Sequence, residues 1–342
     1  MQDLSVREAL FFDRLDDASV RCSLCRHRCL IKPGRRGTCG VRENRSGCLV
    51  TLVYGNLVAE NIDPVEKKPL FHFLPGSTTY SIATVGCNLH CLHCQNYSIA
   101  QVPAGLRVLP GPFCSPDEVV RRAVAAGCRS VSFTYTEPTV FFEFALETAR
   151  LAKAAGLKTI FVSNGYITSE ALEMIAPLLD AANIDLKGFS EDFYRKVTGA
   201  QLAGVLECIQ DYRRHGIWLE LTTLVIPGLN DTDEELSGIA RFIASSLGVD
   251  VPWHVSRFYP MHRMVDRSPT PASTLLRARA LGHEAGLRHI YPGNVPGLAG
   301  EDTVCPGCGE TLIRRRGFIV TENRITGGGC PSCGTPIAGV DL

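Results

Sequence analysis

Apolar positions repeat with two alternating periods along the middle of the chain, from residue 77 to about residue 296. Short runs rich in β-branched and aromatic residues predict strands, and the longer segments between them carry apolar residues at helical spacing. The predicted strands cover residues 79–85, 130–135, 159–163, 182–186, 218–226, 253–258 and 289–291. The predicted helices cover residues 115–127, 139–155, 169–179, 202–215, 233–247 and 272–285.

This order of elements predicts a parallel sheet, because strands joined through helices pair in parallel with right-handed crossovers. Six strand–helix units are too few for the eight-fold barrel, so we expect an α/β fold built as an open, partial (βα)6 barrel of parallel strands. We assign residues 77–296 to this barrel, residues 1–76 to a small Cys-rich metal-binding segment and residues 297–342 to a zinc-ribbon-like module. Active sites in such barrels lie at the C-terminal ends of the strands.

Composition indicates an enzyme-sized globular chain. Its 342 residues are 45% hydrophobic, and its 35 basic and 35 acidic residues give a formal net charge of zero. A neutral chain does not indicate a nucleic-acid-binding or membrane surface, and no segment approaches the ~20 apolar residues of a membrane-spanning helix. The N-terminus lacks the apolar core of an export signal. We therefore expect a cytoplasmic protein.

The fifteen cysteines carry most of the chemical information. Eleven of them form three groups at metal-ligand spacings, which in a reducing compartment indicates metal ligation rather than disulfides. The groups are Cys22, Cys25, Cys29 and Cys39; Cys87, Cys91 and Cys94; and Cys305, Cys308, Cys330 and Cys333. The others, most simply small buried apolar residues, are Cys48, Cys114, Cys128 and Cys208.

The central group, C-x3-C-x2-C, directly follows the first predicted barrel strand. Clusters held entirely by protein use four cysteines, so a [4Fe–4S] cluster on three thiolates keeps one iron open to a small molecule. Such an iron serves chemistry rather than electron storage. The alternative is a zinc knuckle completed by His90 or His93. The position after a strand, with a long α/β pattern following, favours the cluster.

Polar residues also follow the later strands of the predicted barrel. In chain order they are Glu137, Asn164, Asp185, Lys187, His254 and Arg257. Each has an ordinary alternative as a helix cap or a turn residue. Their repetition at one edge of the sheet, above the strand that delivers three thiolates, predicts a shared site.

The C-terminal group consists of two C-x2-C pairs, each followed by glycine. Residues 311–315 and 318–321 between the pairs predict two short strands joined by a turn. Four thiolates at these spacings form a closed structural site, so the sequence predicts a zinc ribbon. A single iron held as in rubredoxin is the alternative.

The N-terminal group, C-x2-C-x3-C-x9-C, is compatible with two kinds of metal centre. Its short, glycine-turned segment favours zinc. The same ligands would also hold a second [4Fe–4S] cluster that relays electrons, and His27 could replace one cysteine. Lys67, Lys68 and His72 lie just before the barrel, where they either line the substrate entrance or form a solvated approach to the first strand.

The three-cysteine motif and the polar strand ends together resemble the radical S-adenosylmethionine (SAM) superfamily over nearly all of residues 77–296. Within it, the chain is similar to the group of the pyruvate formate-lyase-activating enzyme. The resemblance implies that the amino and carboxylate groups of SAM chelate the open iron. One electron from the reduced cluster then cleaves the S–C5′ bond, giving methionine and a 5′-deoxyadenosyl radical that abstracts a hydrogen atom.

The resemblance also implies residue roles by motif position. The residues expected to bind SAM are Glu137, at its ammonium, Asn164, on the ribose side, Asp185 and Lys187. Two positions depart from the family pattern. Tyr135 and Thr136 replace a pair of glycines, and His93 replaces a larger aromatic residue before the third cysteine.

A closer resemblance is to the AmmeMemoRadiSam system radical SAM enzymes. It is carried by residues 22–44 with the N-terminal cysteines, by the run Asp-Pro-Val-Glu-Lys-Lys-Pro-Leu-Phe-His-Phe-Leu-Pro-Gly at residues 63–76, and by residues 86–96. This resemblance implies Memo-like and AMMECR-like partner proteins. It does not supply the substrate.

The sequence therefore predicts a radical SAM enzyme that takes its electron from a low-potential donor. On the substrate side we expect His254 to move a proton, Arg257 to bind a carboxylate or phosphate, and Tyr166 to contribute. Buried structural pairing is the alternative for His254 and Arg257. For the whole chain, the alternatives are an activase of a glycyl-radical enzyme and a non-catalytic scaffold stapled by zinc at all three groups.

Overall fold

The computed structural model of the chain describes residues 4–103, 106, 109–298 and 300–342. The N-terminal strands are β1 Arg7–Glu8, β2 Phe12–Arg14, β3 Val20–Cys22, β4 Leu30–Ile31, β5 Arg42–Arg45 and β6 Cys48–Thr51. The strands of the central sheet are β7 Leu57–Pro64, β8 Thr78–Thr84, β9 Ser130–Phe133, β10 Lys158–Ser163, β11 Ala181–Asp185, β12 Trp218–Val225, β13 Trp253–Arg257 and β14 Ile290–Gly293. The C-terminal strands are β15 Thr303–Val304, β16 Thr311–Arg316 and β17 Ile319–Asn323.

The helices of seven or more residues follow the predicted alternation, whereas two shorter ones lie outside the predicted helices. In chain order the described helices are α1 Tyr97–Ala100, α2 Pro116–Ala125, α3 Phe142–Ala154, α4 Ser169–Ile175, α5 Glu191–Phe193, α6 Leu202–Arg214, α7 Asp233–Phe242 and α8 Ala272–Glu284. Short 3-10 turns cover Val65–Lys67, Pro138–Phe141 and Ala176–Leu178, and π-helical turns cover Tyr194–Thr198 and Ile243–Leu247. The start of α2 shows how local signals set these bounds, because the Ser115 side chain accepts a hydrogen bond from the Glu118 amide at 3.2 Å.

The central sheet is mostly parallel, as the sequence predicts. Among the described residues it has eight strands in the order β14-β13-β12-β11-β10-β9-β8-β7. Strands β8 to β14 pair in parallel, whereas β7 pairs antiparallel with β8 at the edge. The sequence pattern missed β7, which the predicted boundary at residue 76 places in the N-terminal segment. The number of barrel units stays a prediction.

The N-terminal segment packs tightly on the central sheet. It forms two three-stranded antiparallel sheets, in the orders β1-β6-β5 and β2-β3-β4. Ile31 and Val41 belong to the same buried apolar cluster as Phe133 of β9 and Phe161 of β10. No helix among the described residues is long and apolar enough to cross a membrane.

The C-terminal module has its own small apolar cluster, and a buried arginine makes one of its contacts with the rest of the chain. Arg315 of β16 donates hydrogen bonds to the carbonyl of Phe71 at 2.7 Å and to the Thr303 hydroxyl at 2.8 Å. Its guanidinium also lies 3.6 Å from a carboxylate oxygen of Glu66, and both side chains are fully buried. Burial raises the pKa of Glu66, and the Arg315 charge opposes that rise.

Replacing Arg315 with methionine should destabilise the protein by about 3–5 kcal/mol, because the Glu66 carboxyl would stay buried without its cation. Urea denaturation measures the loss. The neighbouring exposed Arg316→Met is the control and should change stability by less than about 0.5 kcal/mol. Adding Glu66→Gln to Arg315→Met should recover part of the loss. Equal stabilities of the Arg315 and Arg316 variants would show that this contact does not hold the module.

Candidate functional site

One cavity of about 360 Å³ lies where the parallel strands end. Its wall includes the three central cysteines and every residue that motif position assigns to SAM. The lining residues with reactive or polar side chains include Cys87, Cys91, Cys94, Glu137, Asn164, Asp185 and Lys187, together with Lys67, Lys68, His93, Tyr135, Thr136, Thr222 and Ser256. The structure thus brings together residues that lie up to 189 positions apart (256 minus 67).

A tight turn after β8 delivers the three cysteines to this cavity. Gly86 has a φ of +105°, which favours glycine, and a Cβ atom there would lie 2.6 Å from a methyl group of Val41. The chain turns without a side chain at this point and places Cys87 against the cavity. The Leu89 amide donates to the Cys87 sulfur at 3.4 Å, a contact that stabilises thiolate charge.

The spacing of the thiols separates single-ion sites from cluster sites. Zinc–sulfur bonds of 2.3 Å in a tetrahedron place the sulfurs only about 3.8 Å apart. Within the described part of the chain, four side chains meet this requirement, Cys305, Cys308, Cys330 and Cys333, whose sulfurs all lie within 4.8 Å of one another. The central triplet with His90 or His93 does not form such a group, and the His90 ring instead contacts the Gln101 side chain at 2.8 Å.

The buried Glu137 carboxylate accepts four hydrogen bonds in the cavity wall. One carboxylate oxygen accepts hydrogen bonds from the Thr139 amide at 3.0 Å, the Thr139 hydroxyl at 2.6 Å and the Ser163 hydroxyl at 2.8 Å. The other accepts one from the Asn164 amide at 2.8 Å. Burial raises the pKa of Glu137, and these donors oppose the rise. A cationic ligand at the second oxygen would stabilise the carboxylate further.

Asn164 carries an unpaired atom at this site. Its amide nitrogen donates to the Asn88 side chain at 2.8 Å and approaches the Cys87 sulfur at 3.6 Å. Its Oδ1 atom is buried and has no hydrogen-bond partner among the described residues. A buried acceptor of this kind fits a ligand that donates a hydroxyl hydrogen bond.

Asp185 and Lys187 form a pair at the end of β11, with 2.7 Å between the Lys187 amine and a carboxylate oxygen. Burial lowers the pKa of Lys187, but the charges of Asp185 and the Cys91 thiolate outweigh it, so the pKa lies above its ordinary value. Burial raises the pKa of Cys91 to about 11, and Lys187 opposes that rise. The amine therefore supplies positive charge beside the cysteines.

The cavity reaches from the cysteine loop toward the opposite ends of the strands. Pro64 at the end of β7 pairs with Thr78 at the start of β8, so the following segment lies far from the Cys87 end of the sheet. Lys67 and Lys68 in that segment nevertheless line the cavity. The sequence left two placements open for these lysines, and the structure places them in the cavity wall.

Asp63 of β7 holds this second end of the cavity together. It accepts hydrogen bonds from the Lys68 amine at 2.6 Å, from the Lys67 amine at 2.9 Å and from the Tyr135 hydroxyl. Burial lowers the pKa of Lys68 to about 8, and Asp63 opposes the fall. The Lys68 side chain is only 2% exposed, so the interpretation of this residue as part of a solvated approach is wrong.

Tyr135 occupies the position where the related pattern has glycine. Its φ is +62°, in the left-handed region that glycine adopts freely and that costs other residues roughly 1–2 kcal/mol. The backbone therefore keeps the conformation of a glycine turn. The added ring lies 4.5 Å from the Lys68 amine, a cation–π distance.

The three residues predicted for the substrate side lie elsewhere. His254 is buried, its Nε2 atom 2.7 Å from Glu220, and its ring packs on Phe71 at 4.8 Å. The Arg257 guanidinium lies 5.0 Å from the ring of Tyr259. Neither side chain lines the cavity, whereas Ser256 between them does. Their catalytic roles stay predictions without support from this geometry.

Tyr166 and His72 also lie outside the wall of this cavity, and each contacts other side chains. Tyr166 packs against the ring of His27 at 4.9 Å in a separate surface cleft, and His27 contacts the Asn88 carbonyl at 2.7 Å. His72 is buried, with 2.6 Å between Nε2 and the Tyr291 hydroxyl. The placement of His72 at a substrate entrance or on a solvated approach is therefore wrong.

Comparisons with known proteins match the part of the chain that forms this cavity to a known superfamily. The sequence profile of the radical SAM superfamily matches residues 81–243. An uncharacterized protein of Methanocaldococcus jannaschii is 46% identical over 310 residues, covering 91% of this chain and 92% of that protein. The pyruvate formate-lyase 1-activating enzyme of Escherichia coli K12 is 21% identical over 175 residues, covering 49% of this chain and 71% of that enzyme.

A solved structure shows the same fold. A radical SAM methyltransferase from Sphaerobacter thermophilus superposes with a TM-score of 0.50 at 14% identity, covering 67% of this chain and 71% of that chain. The region that matches the family profile contains the three-cysteine loop, Glu137, Asn164, Asp185 and Lys187. The chain therefore contains a radical SAM superfamily domain and is homologous to the pyruvate formate-lyase-activating enzymes, which indicates a radical-chemistry enzyme.

Proposed function

We propose that this enzyme binds a [4Fe–4S] cluster on Cys87, Cys91 and Cys94 and cleaves SAM reductively in the adjoining cavity. The observation that carries the proposal is that three thiols and four polar strand-end residues line one cavity. When bound, the cluster supplies one electron that cleaves the S–C5′ bond, and the resulting 5′-deoxyadenosyl radical abstracts a hydrogen atom from the substrate.

The side chains around the cavity would bind and orient SAM. Glu137 has one oxygen occupied by three donors and a second oxygen with only one, which suits the SAM ammonium. The unpaired Oδ1 of Asn164 suits a ribose hydroxyl. His93 is buried in the cavity wall, and burial together with the Lys187 charge lowers its pKa to about 3, so its neutral ring suits the adenine.

Two other functions compete with this one. A scaffold with zinc at all three cysteine groups requires three sets of closely spaced thiols, and the C-terminal group alone has that spacing among the described residues. A glycyl-radical activase is favoured by the relationship to the Escherichia coli activating enzyme. Its test is the electron paramagnetic resonance (EPR) signal of a glycyl radical in a partner protein after turnover.

The remaining parts of the proposal rest on the chemistry of the thiols and on motif resemblance. We assign zinc to the C-terminal group, whose sulfurs lie 3.6 Å (Cys305 to Cys333) and 3.7 Å (Cys308 to Cys330) apart. The fifteen cysteines are free thiols in the structure, which suits a cytoplasmic enzyme. Membership of the AmmeMemoRadiSam subgroup, with Memo-like and AMMECR-like partners, rests on the runs at residues 22–44, 63–76 and 86–96.

Replacing Cys87, Cys91 and Cys94 together with alanine should abolish SAM cleavage, because no iron would remain to receive SAM. Anaerobic incubation with SAM and dithionite, with 5′-deoxyadenosine quantified by mass spectrometry, measures this. The variant should keep the zinc of the C-terminal group, which also reports folding. SAM cleavage at the wild-type rate by the triple variant would show that other residues hold the cluster.

Glu137→Gln should weaken SAM binding by about 10- to 100-fold, because a charge-assisted hydrogen bond contributes about 1.5–3 kcal/mol. Anaerobic equilibrium dialysis with labelled SAM measures the affinity, and visible absorbance confirms that the cluster is intact. Glu173→Gln on the exposed face of α4 is the matched control and should bind like the wild type. Equal SAM affinities of the Glu137 and Glu173 variants would show that the SAM ammonium does not bind at Glu137.

The lysine end of the cavity indicates the class of substrate. Lys67 and Lys68 present two amines to the cavity, and the single carboxylate of Asp63 pairs with both. This end therefore carries excess positive charge, whereas the other end holds the cysteines and Glu137. We propose that a substrate with a carboxylate or phosphate group binds here, within reach of a radical formed at the cysteine end.

Lys68→Met should lose the response to such substrates while keeping cluster and SAM binding, since Asp63 retains Lys67 and Tyr135. A panel of carboxylates, phosphates and neutral analogues is screened for compounds that stimulate 5′-deoxyadenosine formation. Acidic compounds should stimulate the wild type, less so from pH 7 to 9 as Lys68, with a pKa of about 8, loses its proton. Neutral compounds that stimulate both proteins equally would refute this substrate class.

A further inference from the structure

The N-terminal cysteines surround a second site. It is separate from the cavity of about 360 Å³ that is proposed to bind SAM, called the SAM cavity below. Cys22, Cys25, Cys29 and Cys39 line one cavity. The rest of its wall is formed by Leu24, Ile31 and Val140 together with Gly37, Thr38, Thr139 and Arg42. The four cysteines therefore share one enclosed space.

Their spacing does not suit a single ion. The C-terminal group shows in the same chain what a site for one ion looks like, with sulfurs 3.6 and 3.7 Å apart. The N-terminal thiols share a cavity, but no three of them all lie within 4.8 Å of one another. The sequence favours zinc here, and the geometry does not support that prediction. A larger group with four attachment points would fill the space between the sulfurs.

A buried arginine supplies a second, independent observation. Arg42 lines the same cavity and is 2% exposed. Its Nη2 atom donates to Glu143 at 2.6 Å and to the Leu10 carbonyl at 2.7 Å. Its Nε and Nη1 atoms are buried and have no hydrogen-bond partner in the described structure. These unpaired donors and their positive charge suit an anionic group bound to thiolates.

We propose that Cys22, Cys25, Cys29 and Cys39 hold a second iron–sulfur cluster, with Arg42 offsetting its negative charge. Four cysteines are the usual ligand set of both [2Fe–2S] and [4Fe–4S] clusters. With all irons coordinated by protein, this cluster has no open iron for a substrate. Its chemistry is electron transfer.

The cluster site adjoins the SAM cavity closely. Thr139 lines the N-terminal cavity and donates two hydrogen bonds to Glu137, which lines the SAM cavity. A Cβ atom at Gly86 would lie 3.2 Å from the Cys39 carbonyl oxygen, and Gly86 directly precedes Cys87. The two groups of cysteines are thus connected through a few bonded and contacting atoms.

Because this site adjoins the SAM cavity, we assign the second cluster the role of passing electrons from a donor to the central cluster. This role rests on the proposed function. A low-potential donor reduces the N-terminal cluster by one electron. That cluster then returns to its oxidised state as it passes the electron to the oxidised central cluster. The central cluster is reduced by the same single electron, and no proton or atom is transferred in this step.

Metal analysis of the full-length Cys87, Cys91 and Cys94 triple alanine variant, reconstituted anaerobically, tests the site without any need for SAM cleavage. We expect two to four irons per chain, one zinc and an EPR signal after reduction. Adding Cys25→Ala should remove the iron and keep the zinc. Adding Cys48→Ala instead, on β6 outside the cavity, should change neither. Two zincs and no iron in the triple variant would overturn the proposal.

The electron-transfer role is tested separately with the single variant Cys25→Ala, in which the central cysteines are intact. SAM cleavage driven by reduced flavodoxin should fall at least tenfold, whereas cleavage driven by dithionite, which is small enough to reach the central cluster directly, should fall less than about twofold. Equal losses with both reductants would refute the relay. If the wild type fails to cleave SAM while the triple variant retains iron, the proposed function fails and the second cluster stands.

Discussion

Parallel pairing of β8 to β14 is the constraint on which the functional site depends. It brings successive strand ends to one edge of the sheet, so Glu137, Asn164 and Asp185 meet although long helices separate them in sequence. The cysteine loop joins them because Gly86 turns the chain where Val41 excludes a side chain. Residues that follow other strands then hold Glu137 and Asn164, which fixes the orientation of both side chains before any ligand binds.

Buried ion pairs attach the accessory segments to this sheet. Arg42 of the N-terminal segment pairs with Glu143 of α3, and Arg315 of the C-terminal module pairs with Glu66. Such pairs contribute little net stability, but removing one partner is costly because a charge is left buried alone. They therefore specify how each segment docks. In this chain, docking places the N-terminal cysteines beside the SAM cavity and the lysines at its far end.

The charges along the cavity divide the proposed reaction between its two ends. Thiolates, Glu137 and the Asp185–Lys187 pair form the end that suits SAM and its electron supply. Lys67 and Lys68 form the end that suits an anionic substrate. Tyr135 lies between these two ends. Its backbone has a conformation that favours glycine, and its hydroxyl donates a hydrogen bond to Asp63. Tyr135 links the turn beside the cysteine end to the lysine end through the hydrogen bond to Asp63 and the contact of its ring with the Lys68 amine.

From β8 to β14, sequence pattern alone determined the alternation of the strands and the longer helices, to within a few residues, because hydrophobic period and helix caps such as Ser115 are local signals. Local motifs likewise identified the cysteine groups and the residues from Glu137 to Lys187 that line the cavity. Only the tertiary structure decided that His254 pairs with Glu220 away from the cavity and that Lys68 reaches it. It also decided which cysteine group fits one ion. Burial, charge pairing and sulfur–sulfur distance depend on chain segments far apart in sequence, and no local pattern contains them.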